Sequence, residues 1–288
     1  MLDLAVVIVS WNVRDLLRAC LRSCLDGLHE SGLQGRIVVV DSASSDGTAA
    51  MVSAEFGQVE LIASEDNIGF VKGNNLALRR VGLGGQDTAA ERPRYVWLLN
   101  PDTRVHPGAI NGLVDFMDAT PRCGLCGPKL ENPDSSLQMG AFGFPGLAQL
   151  LIETQPRLAR FRDSRVDGRY PRAWFDRPTP FRIGSPLGAA MLARAEAVEQ
   201  VGLLDEGFEM YCEEIDWAMR MRQTGWERWC VPSAVVTHYG GASSGQASAR
   251  TEAIKWRSRR RYYAKHYGAI RRAIALRIAA GRLSLIHI

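Results

Sequence analysis

The chain has 288 residues, enough for one large α/β domain or two small ones. Its hydrophobic content of 46% and charged content of 23% are typical of a globular protein with a buried core, which excludes the disordered and fibrous classes. The charge is uneven: ten Lys or Arg residues and no Asp or Glu follow Glu252, although the whole chain carries only +4. A basic tail on an acidic body indicates an anionic partner near the tail, such as a phospholipid surface or a diphosphate acceptor.

The apolar segments are too short to cross a membrane, since none approaches the roughly 18 residues required. The first apolar stretch, residues 4–9, has no basic start and no small-residue cleavage site, which predicts a buried strand rather than a signal peptide. We therefore expect the protein in the cytoplasm, with peripheral contact at the inner face of the plasma membrane.

The six cysteines are scattered and do not form the compact pattern of a secreted disulfide framework. Cys123 and Cys126 have CxxC spacing, but no second pair stands at a zinc-site distance, so we interpret them as small apolar core residues. The last six residues, 283–288, resemble a translated sequencing adapter, and we expect the native chain to end differently.

Short β-branched runs alternate with helical segments in the first hundred residues. The predicted strands cover residues 5–9, 36–40, 59–62 and 95–99, and the predicted helices cover 14–28, a segment from 48, and 74–81. This alternation indicates a parallel sheet covered on both faces, in which ligands bind at the carboxyl ends of the strands. Asn12, Asp41 and the segment 100–102 each follow a predicted strand and are expected to converge there.

The second half of the chain is less regular. Residues 82–94 are polar and contain glycine, which predicts a loop. Residues 133–186 mix Gly, Pro, Arg and aromatics, and we interpret them as a long excursion carrying an acceptor-binding or lid element. A strand at 188–192 and a helix from 195 follow.

Asp41 is a candidate for recognising the base of a nucleotide, because a carboxylate at a strand end can accept the N3–H of uracil or thymine. The alternative is that it caps the next helix or shapes the turn before it. The glycines of the segment 67–75 would let the backbone approach a ligand, and Lys72 could face a phosphate. By itself such a segment is more often a plain connection into a helix.

Asn100-Pro101-Asp102 directly follows the fourth predicted strand. Asp102 can bind a divalent cation that also bridges two donor phosphates, and hard oxygen ligands suit Mg²⁺ or Mn²⁺. The alternative is a simple Pro-Asp turn. His238 ends another β-branched run, and it either completes a metal shell with Asp102 or is a hydrogen-bonded core histidine.

Three carboxylates lie within four positions at Glu213, Glu214 and Asp216. Such crowding raises at least one pKa and suits a general base. The alternative is a solvated helix start, where acidic residues are common. The apolar Trp217 and Met221 indicate a partly buried helix and favour the site. Which carboxylate is the base stays open at this point.

Five segments occur in a recognisable order: Val-Ile-Val-Ser-Trp-Asn at 7–12, Val-Asp-Ser-Ala-Ser-Ser-Asp-Gly-Thr at 40–48, Asn-Ile-Gly-Phe at 67–70, Leu-Asn-Pro-Asp-Thr at 99–103 and Glu-Glu-Ile-Asp-Trp at 213–217. Together they resemble the family 2 glycosyltransferases, specifically the rhamnosyltransferase-like branch, over residues 4–268.

The resemblance implies an α/β GT-A fold, with a Rossmann-like, mostly parallel central sheet, helices on both faces and a basic helical C-terminal tail. It implies a GT-A domain over residues 1–252, with a nucleotide-sugar-binding half (1–130) and an acceptor and catalytic half (131–252). The tail occupies residues 253–288.

The resemblance also implies an inverting, metal-dependent mechanism with Mg²⁺ or Mn²⁺. Asp102 and His238 become metal ligands, and Asn100-Pro101-Asp102 occupies the place of the family's Asp-x-Asp element. Glu214 falls where the family has its catalytic Asp, with Glu213 and Asp216 as alternatives. The expected nucleotide-sugar contacts are Ser10, Asn12, Asp41, Asn67, Gly69, Lys72, Asn74 and Asn100. Two departures stand out: Asn100 replaces an acid, and Glu214 is one methylene longer than Asp.

The expected donor is a dTDP- or UDP-sugar, with dTDP-L-rhamnose as the best match to the resemblance. The expected acceptor is a glycan or lipid-linked molecule in cell-wall or surface-polysaccharide synthesis. In the tail, Ile270, Ile274 and Ile278 recur every four residues among arginines, which predicts a helix lying on an anionic membrane. Arg277 falls on the same stripe and weakens this pattern.

The sequence argues against three other functions. A sugar-phosphate nucleotidyltransferase would have a Gly- and Arg-rich loop after the first strand, which residues 9–14 do not supply. A catalytically silent nucleotide- or glycan-binding protein would not need the carboxylates at 213–216. A nucleic-acid module could use the basic and aromatic residues at 257–265, but they match no recognised motif, so no nucleic acid is expected.

Overall fold

A mixed β-sheet forms the centre of the protein in a computed structural model, which describes residues 2–85, 92–240 and 248–286. Within these residues the strands are β1 (Leu4–Ser10), β2 (Gly35–Ser42), β3 (Glu60–Ser64), β4 (Tyr95–Leu99), β5 (Thr103–Val105), β6 (Cys123–Glu131), β7 (Leu137–Gln138), β8 (Ala141–Phe142), β9 (Phe181–Arg182), β10 (Ser185–Pro186), β11 (Ala190–Arg194) and β12 (Glu227–His238). The order across the sheet is β3-β2-β1-β4-β11-β6-β12-β5.

The described helices are α1 (Arg14–Ser31), α2 (Thr48–Glu55), α3 (Gly69–Arg80), α4 (Ala109–Ala119), α5 (Leu147–Thr154), α6 (Arg172–Phe175), α7 (Ala195–Val201), α8 (Glu213–Gln223), α9 (Ser248–His266) and α10 (Ala269–Ile286). Two 3₁₀ turns, Pro156–Phe161 and Arg165–Asp167, follow α5. The predicted alternation of strands and helices is confirmed.

The sheet is parallel where the sequence predicted it, because β3, β2, β1 and β4 run in one direction. Strand β11 is antiparallel to both β4 and β6, and β12 is again parallel to β6. The carboxyl ends of β1, β2, β4 and β12 therefore open on one edge of the sheet, which we call the rim.

Both faces of the sheet are buried, which explains the continuous apolar runs. In β1, Leu4, Val6 and Ile8 pack on one face with α1, α2 and α4. The alternate residues Ala5 and Val7 pack on the other face with α3, α7, α8, α9 and α10. All six cysteines are buried free thiols, and Cys123 and Cys126 are core residues as predicted.

The predicted excursion, residues 133–186, is folded. It contains α5, short strands and a small core in which Ala141, Phe175 and Ile183 pack against Cys230 of β12. Of the predicted loop at 82–94, residues 86–91 lie outside the described part of the chain.

Helix α9 is packed into the body. Trp256, Tyr262 and Tyr263 are buried in the core beneath α8. The domain boundary predicted between residues 252 and 253 falls inside this helix, because the change in charge does not coincide with a change in packing. The aromatic residues that supported a nucleic-acid surface are thus core residues.

The basic residues of α9 largely pair with acidic residues of the body. Among the described ion pairs, Lys255 and Arg259 bind Glu153, and Arg261 and Lys265 bind Asp205. The uneven charge of the sequence is therefore partly internal, with the positive α9 lying on the negative body.

Candidate active site

The polar residues that follow β1, β2 and β4 meet at the rim. Ser10 lies beside Asp41 in the register of β1 and β2, and β4 adjoins β1 on its other side. Asn100 comes directly after β4, and its backbone N–H donates to the carbonyl of Ala189 at 2.8 Å. The structure thus brings the candidate residues Ser10, Asp41 and Asn100 to one edge.

Asp41 is buried and keeps one carboxylate oxygen free of protein partners. Its Oδ1 and the neighbouring Ser10 Oγ have no hydrogen-bond partner in the described part of the chain. Its Oδ2 accepts the N–H of Ser44 at 3.3 Å and so shapes the turn. The capping alternative is wrong: α2 begins at Thr48, whose N–H donates to Asp46.

Asn12 and Asn67 hold the loops around this edge. The φ of Asn12 is 52°, in the left-handed region, and its Oδ1 accepts the N–H of Ser45 at 2.8 Å. Asn67 Oδ1 accepts both Ser42 Oγ, at 3.2 Å, and the N–H of Gly69, at 3.0 Å. These asparagines tie the loop after β1 to the loop after β2, and the end of β2 to the start of α3.

Two other candidates on α3 are placed differently. Lys72 is exposed, and the amide of Asn74 donates to the carbonyl of Phe70 within the helix at 2.9 Å. The side-chain amide of the adjacent Asn75 donates to the carbonyl of Leu204 at 2.9 Å and accepts the Leu204 N–H at 3.0 Å, and so connects α3 to the segment before α8.

Asp102 and His238 form a pair at the rim. His238, at the end of β12, lies beside Thr103 in the register, and its Nε2 is 3.4 Å from Asp102 Oδ1. Its Nδ1 is 2.7 Å from Oε1 of Gln138. The Gln138 nitrogen donates to Asn132 Oδ1 at 2.8 Å and to the His238 carbonyl at 3.1 Å.

These contacts assign the tautomer of His238. Because the amide nitrogen of Gln138 already donates twice, its oxygen is left to accept, so Nδ1 carries the proton. Nε2 lies 3.4 Å from Asp102 Oδ1 and 3.5 Å from Nδ2 of Asn100. In the neutral ring Nε2 carries a lone pair, and this is the form of histidine that binds a metal ion.

The donor atoms at this place fit a divalent metal that has few protein ligands. Asp102 and His238 supply two, and the buried Oδ1 of Asn100 has no hydrogen-bond partner among the described residues. No group of three His, Cys, Asp or Glu side chains in residues 2–85, 92–240 and 248–286 is arranged to bind a metal. Mg²⁺ and similar ions commonly take the remaining ligands from water and substrate phosphates.

Glu213 and Glu214 open helix α8. Glu213 is only 4% exposed, Glu214 is half-buried, and Oε2 of each has no hydrogen-bond partner in the described chain. A Cβ added to Gly188 would lie 3.8 Å from the Cβ of Glu214. Since Ala189 follows Gly188 and accepts the N–H of Asn100, Glu214 adjoins the segment that borders the rim.

Burial makes both carboxyls weak acids. It raises the pKa of Glu214 to about 7, while backbone N–H groups and the charge of Arg259 act in the opposite direction. Burial also raises the pKa of Glu213 well above its ordinary value, and the charge of Glu214 adds to this effect. A half-buried carboxyl with a pKa near 7 suits proton transfer at neutral pH.

Asp216 has a different environment. It is fully buried, and its oxygens accept from Arg220 Nε at 2.8 Å, His266 Nε2 at 2.7 Å and Lys265 Nζ at 2.8 Å. Burial tends to raise its pKa, but these three partners outweigh burial and lower it. The carboxylate of Asp216 is therefore occupied by protein side chains, whereas Oε2 of Glu214 has no partner among the described residues.

Residues 5–182 match the sequence profile described as Glycosyl transferase family 2, which covers more than half of the chain. The chain belongs to glycosyl transferase family 2. The family predicted from the ordered segments is thus confirmed, and the chain is a glycosyltransferase.

Curated relatives support the rhamnosyltransferase-like branch of family 2. Two proteins named N-acetylglucosaminyl-diphospho-decaprenol L-rhamnosyltransferase, from Mycobacterium tuberculosis strains CDC 1551 / Oshkosh and ATCC 25618 / H37Rv, are 29% identical over 219 residues. The match spans 73% of this chain and 68% of each relative. The succinoglycan biosynthesis protein ExoO of Rhizobium meliloti (strain 1021) is 30% identical over 118 residues, 41% of this chain and 30% of that protein.

Solved structures show that the GT-A fold prediction is correct. GalNAc-T7, crystallised with UDP, GalNAc and Mn²⁺, superposes with a TM-score of 0.58 at 15% identity. That match covers 99% of this chain and 56% of GalNAc-T7. Residues 1–349 of S. aureus TarS give a TM-score of 0.57 at 14% identity, covering 99% of this chain and 72% of TarS.

Three residues that contact or adjoin His238 and Glu214 were not predicted from the sequence. Gln138 lies in the irregular excursion, where no motif marks it. Gly188 was predicted only as the start of a strand. Arg259 was assigned to the tail, and only its burial between α5 and the start of α8 connects it with Glu214.

Proposed function

We propose that the chain is an inverting hexosyltransferase that moves a sugar from a nucleoside diphosphate to an acceptor hydroxyl. The observation that carries this proposal is the set of buried oxygens without protein partners on Asp41, Asn100 and Glu214, together with the Asp102–His238 pair. A buried polar atom without a partner is uncommon and costs stability, so a ligand that binds there supplies what is missing.

On the donor side, Asp41 Oδ1 accepts the N3–H of the base, and Asn100 contacts the ribose. Ser10, Asn12, Asn67 and Gly69 line the loops around the nucleotide. We retain Lys72 and Asn74 as weaker candidates, because Lys72 is exposed and the amide of Asn74 is used within α3.

On the acceptor side, Glu214 is the general base. Its carboxylate takes the proton of the acceptor hydroxyl as that oxygen attacks the anomeric carbon opposite the leaving diphosphate, which inverts the configuration. Burial raises the pKa of the neighbouring Glu213 well above its ordinary value, which favours its neutral form and limits the negative charge beside the base.

Asp102 and His238 would hold Mg²⁺ or Mn²⁺, a proposal supported by the presence of Mn²⁺ in GalNAc-T7. When bound, the cation would neutralise charge that develops on the leaving diphosphate.

The relatives suggest the substrates. Two of them are named as L-rhamnosyltransferases acting on a diphospho-decaprenol, which supports dTDP-L-rhamnose as donor and a lipid-linked or glycan acceptor in cell-wall or surface-polysaccharide synthesis. We place this reaction at the inner face of the plasma membrane. No helix in the described part of the chain is long and apolar enough to cross a bilayer. The contact that we propose with the membrane is peripheral.

Helix α10, helix α5 and the segment after α5 are our candidates for that contact. Exposed large apolar side chains in these elements include Leu151, Phe161, Val166, Ile270 and Ile274. Basic residues, including the exposed Arg271 and Arg272, lie among them. Apolar residues interspersed with cations suit the interface of an anionic membrane.

Replacement of Glu214 tests the proposed mechanism. Glu214→Gln is expected to lower kcat by about 10²- to 10⁴-fold, the usual contribution of a general base. The wild-type kcat should rise with pH through about 7, because the base must be deprotonated and the pKa of Glu214 is about 7. Glu213, Arg259 and Cys212 are the titratable groups that face it.

A panel of nucleotide sugars, with and without Mn²⁺, supplies the donor. The melting temperature of wild type and of Glu214→Gln should rise equally with the correct donor, since binding to the native state stabilises it. Exposed Glu196→Gln is the control. Near-normal turnover by Glu214→Gln contradicts the assignment. If the wild type binds a donor but neither transfers its sugar nor hydrolyses it, the protein is a silent binding protein.

A further inference from the structure

The turn that leads into α8 has an unusual backbone. Tyr211 and Cys212, the two residues before Glu213, have φ values of 68° and 66°. This left-handed region is unfavourable for residues with a Cβ, and two such residues in succession persist only where the surroundings force them. The direction in which Glu213 and Glu214 leave the turn depends on this conformation.

Helix α9 is hydrogen-bonded to the chain just before the turn. Ser258 Oγ, buried on α9, donates to the carbonyl of Met210 at 2.6 Å. Further back, Asp205 accepts from Arg261 at 2.8 Å and from Lys265 at 2.7 Å.

Asp216 links α8 to α9 just after the turn. Its carboxylate joins α8 to α9 through His266 and Lys265. Arg220, bound to the other oxygen of Asp216, also donates to the carbonyls of Val201 at 2.5 Å and Leu203 at 2.8 Å. Asp216 therefore connects three segments: α8, α9 and the chain that follows α7.

The surroundings of Asp216 do not suit a general base. A base must reach the acceptor hydroxyl, but Asp216 is 0% exposed and the described partners of its carboxylate are the side chains of Arg220, Lys265 and His266. Glu214, half-buried beside Gly188, has an unpartnered oxygen instead.

We propose that Asp216 and Ser258 are positioning residues, which fix α9 to either side of the Tyr211–Cys212 turn and thereby hold Glu214 in place for proton transfer. This inference rests on the proposed role of Glu214. It gives α9, which composition assigned to a separate tail, a part in forming the site.

The test compares Asp216→Asn and Ser258→Ala with wild type. A misplacement of the base by about 1 Å costs on the order of 10²-fold in rate, so each variant should lower kcat by about 10- to 100-fold. The KM for the donor should change by no more than about twofold, because Asp41, Asn100 and Asp102 lie on other elements. The rise of kcat with pH should remain in both variants, since Glu214 is still present.

Glu60→Gln is the matched control. Glu60 pairs with Arg36 and Arg80 at the start of β3, away from α8, so its loss breaks a two-arginine ion pair without touching the turn. Hydrogen exchange supplies a readout that does not depend on turnover. Asp216→Asn and Ser258→Ala should both speed exchange of the amides at 208–216, and Glu60→Gln should not.

Different outcomes separate this inference from the proposed function. If Asp216→Asn lowers kcat by more than about 10³-fold and the rise of kcat with pH disappears, Asp216 is the base and the inference is wrong. Unchanged amide exchange at 208–216 also contradicts the inference. If one of the two variants fails to fold, the exchange measured in the other still decides. If wild type neither binds nor transfers any nucleotide sugar, the proposed function fails, while the exchange data still decide whether α9 holds the turn.

Discussion

Gln138 shows how a single amide can set the chemistry of a site. Its oxygen accepts the Nδ1–H of His238, so that in the neutral ring the lone pair lies on Nε2. Gln138→Leu removes that acceptor, so both the ring orientation and the tautomer of His238 become free to change. Loss of such a supporting contact typically weakens metal binding by about 10- to 100-fold.

Titration of the protein with Mn²⁺, followed by electron paramagnetic resonance in the presence of the nucleoside diphosphate, measures this loss directly. The control is Gln200→Leu on α7, which removes the hydrogen-bond acceptor of the Trp226 indole N–H. Equal Mn²⁺ affinity in Gln138→Leu and wild type would show that His238 is not a ligand.

Glu213 has an effect on stability that can be separated from catalysis. Burial raises its pKa, so the folded state holds the proton more tightly than the unfolded state does. The corresponding stability is present at low pH and is lost as the pH rises through the folded-state pKa. Glu213→Gln removes this titration, so its melting temperature should exceed that of wild type more at pH 8.5 than at pH 5.

Thermal unfolding of the two proteins at both pH values checks this expectation, and exposed Glu196→Gln serves as the comparison. If the difference in melting temperature between Glu213→Gln and wild type is the same at pH 5 and pH 8.5, the ionisation of Glu213 does not destabilise the folded protein.

At the scale of elements, the strands and the rim could be predicted because their signals are local. The run Tyr95–Leu99 is apolar throughout and is a strand with those bounds in the structure. Helix α3 begins at Gly69, five residues before its predicted start, because the glycine-containing segment was interpreted as a loop. Propensity alone could not show that Asn67 and Ser42 would stabilise its first turn.

The roles within α8 could not be predicted from spacing. Glu214 and Asp216 are two positions apart, so they point to different sides of the helix. Which side faces the rim depends on α9, whose residues lie about 50 positions further along the chain. Long-range contacts of this kind leave no mark in the sequence around Glu213.

At the scale of the whole molecule, the two C-terminal helices use their positive charge differently. Most of the described cations of α9 bind carboxylates of the body, whereas Arg271, Arg272 and Arg277 of α10 are exposed and make no ion pair within the described residues. A membrane can therefore attract α10 more readily than α9.

Charge reversal on α10 tests this attraction. Each Arg near an anionic surface contributes about 1 kcal/mol, so Arg271→Glu with Arg272→Glu should reduce binding to phosphatidylglycerol vesicles about tenfold or more. Flotation with these vesicles, compared with phosphatidylcholine vesicles, measures the change, and Arg122→Glu on the loop before β6 is the control. If wild type stays with the soluble fraction in both cases, α10 does not bind lipid.

The packing of α9 also bears on how the enzyme is produced for study. The change in charge after Glu252 invites a shortened version that ends there, in the hope of better solubility. Such a chain would lose Trp256, Tyr262 and Tyr263 from the core and leave Asp216 without His266 and Lys265. A buried carboxylate that loses its partners is strongly destabilising, so any shortened recombinant enzyme should retain α9 through His266.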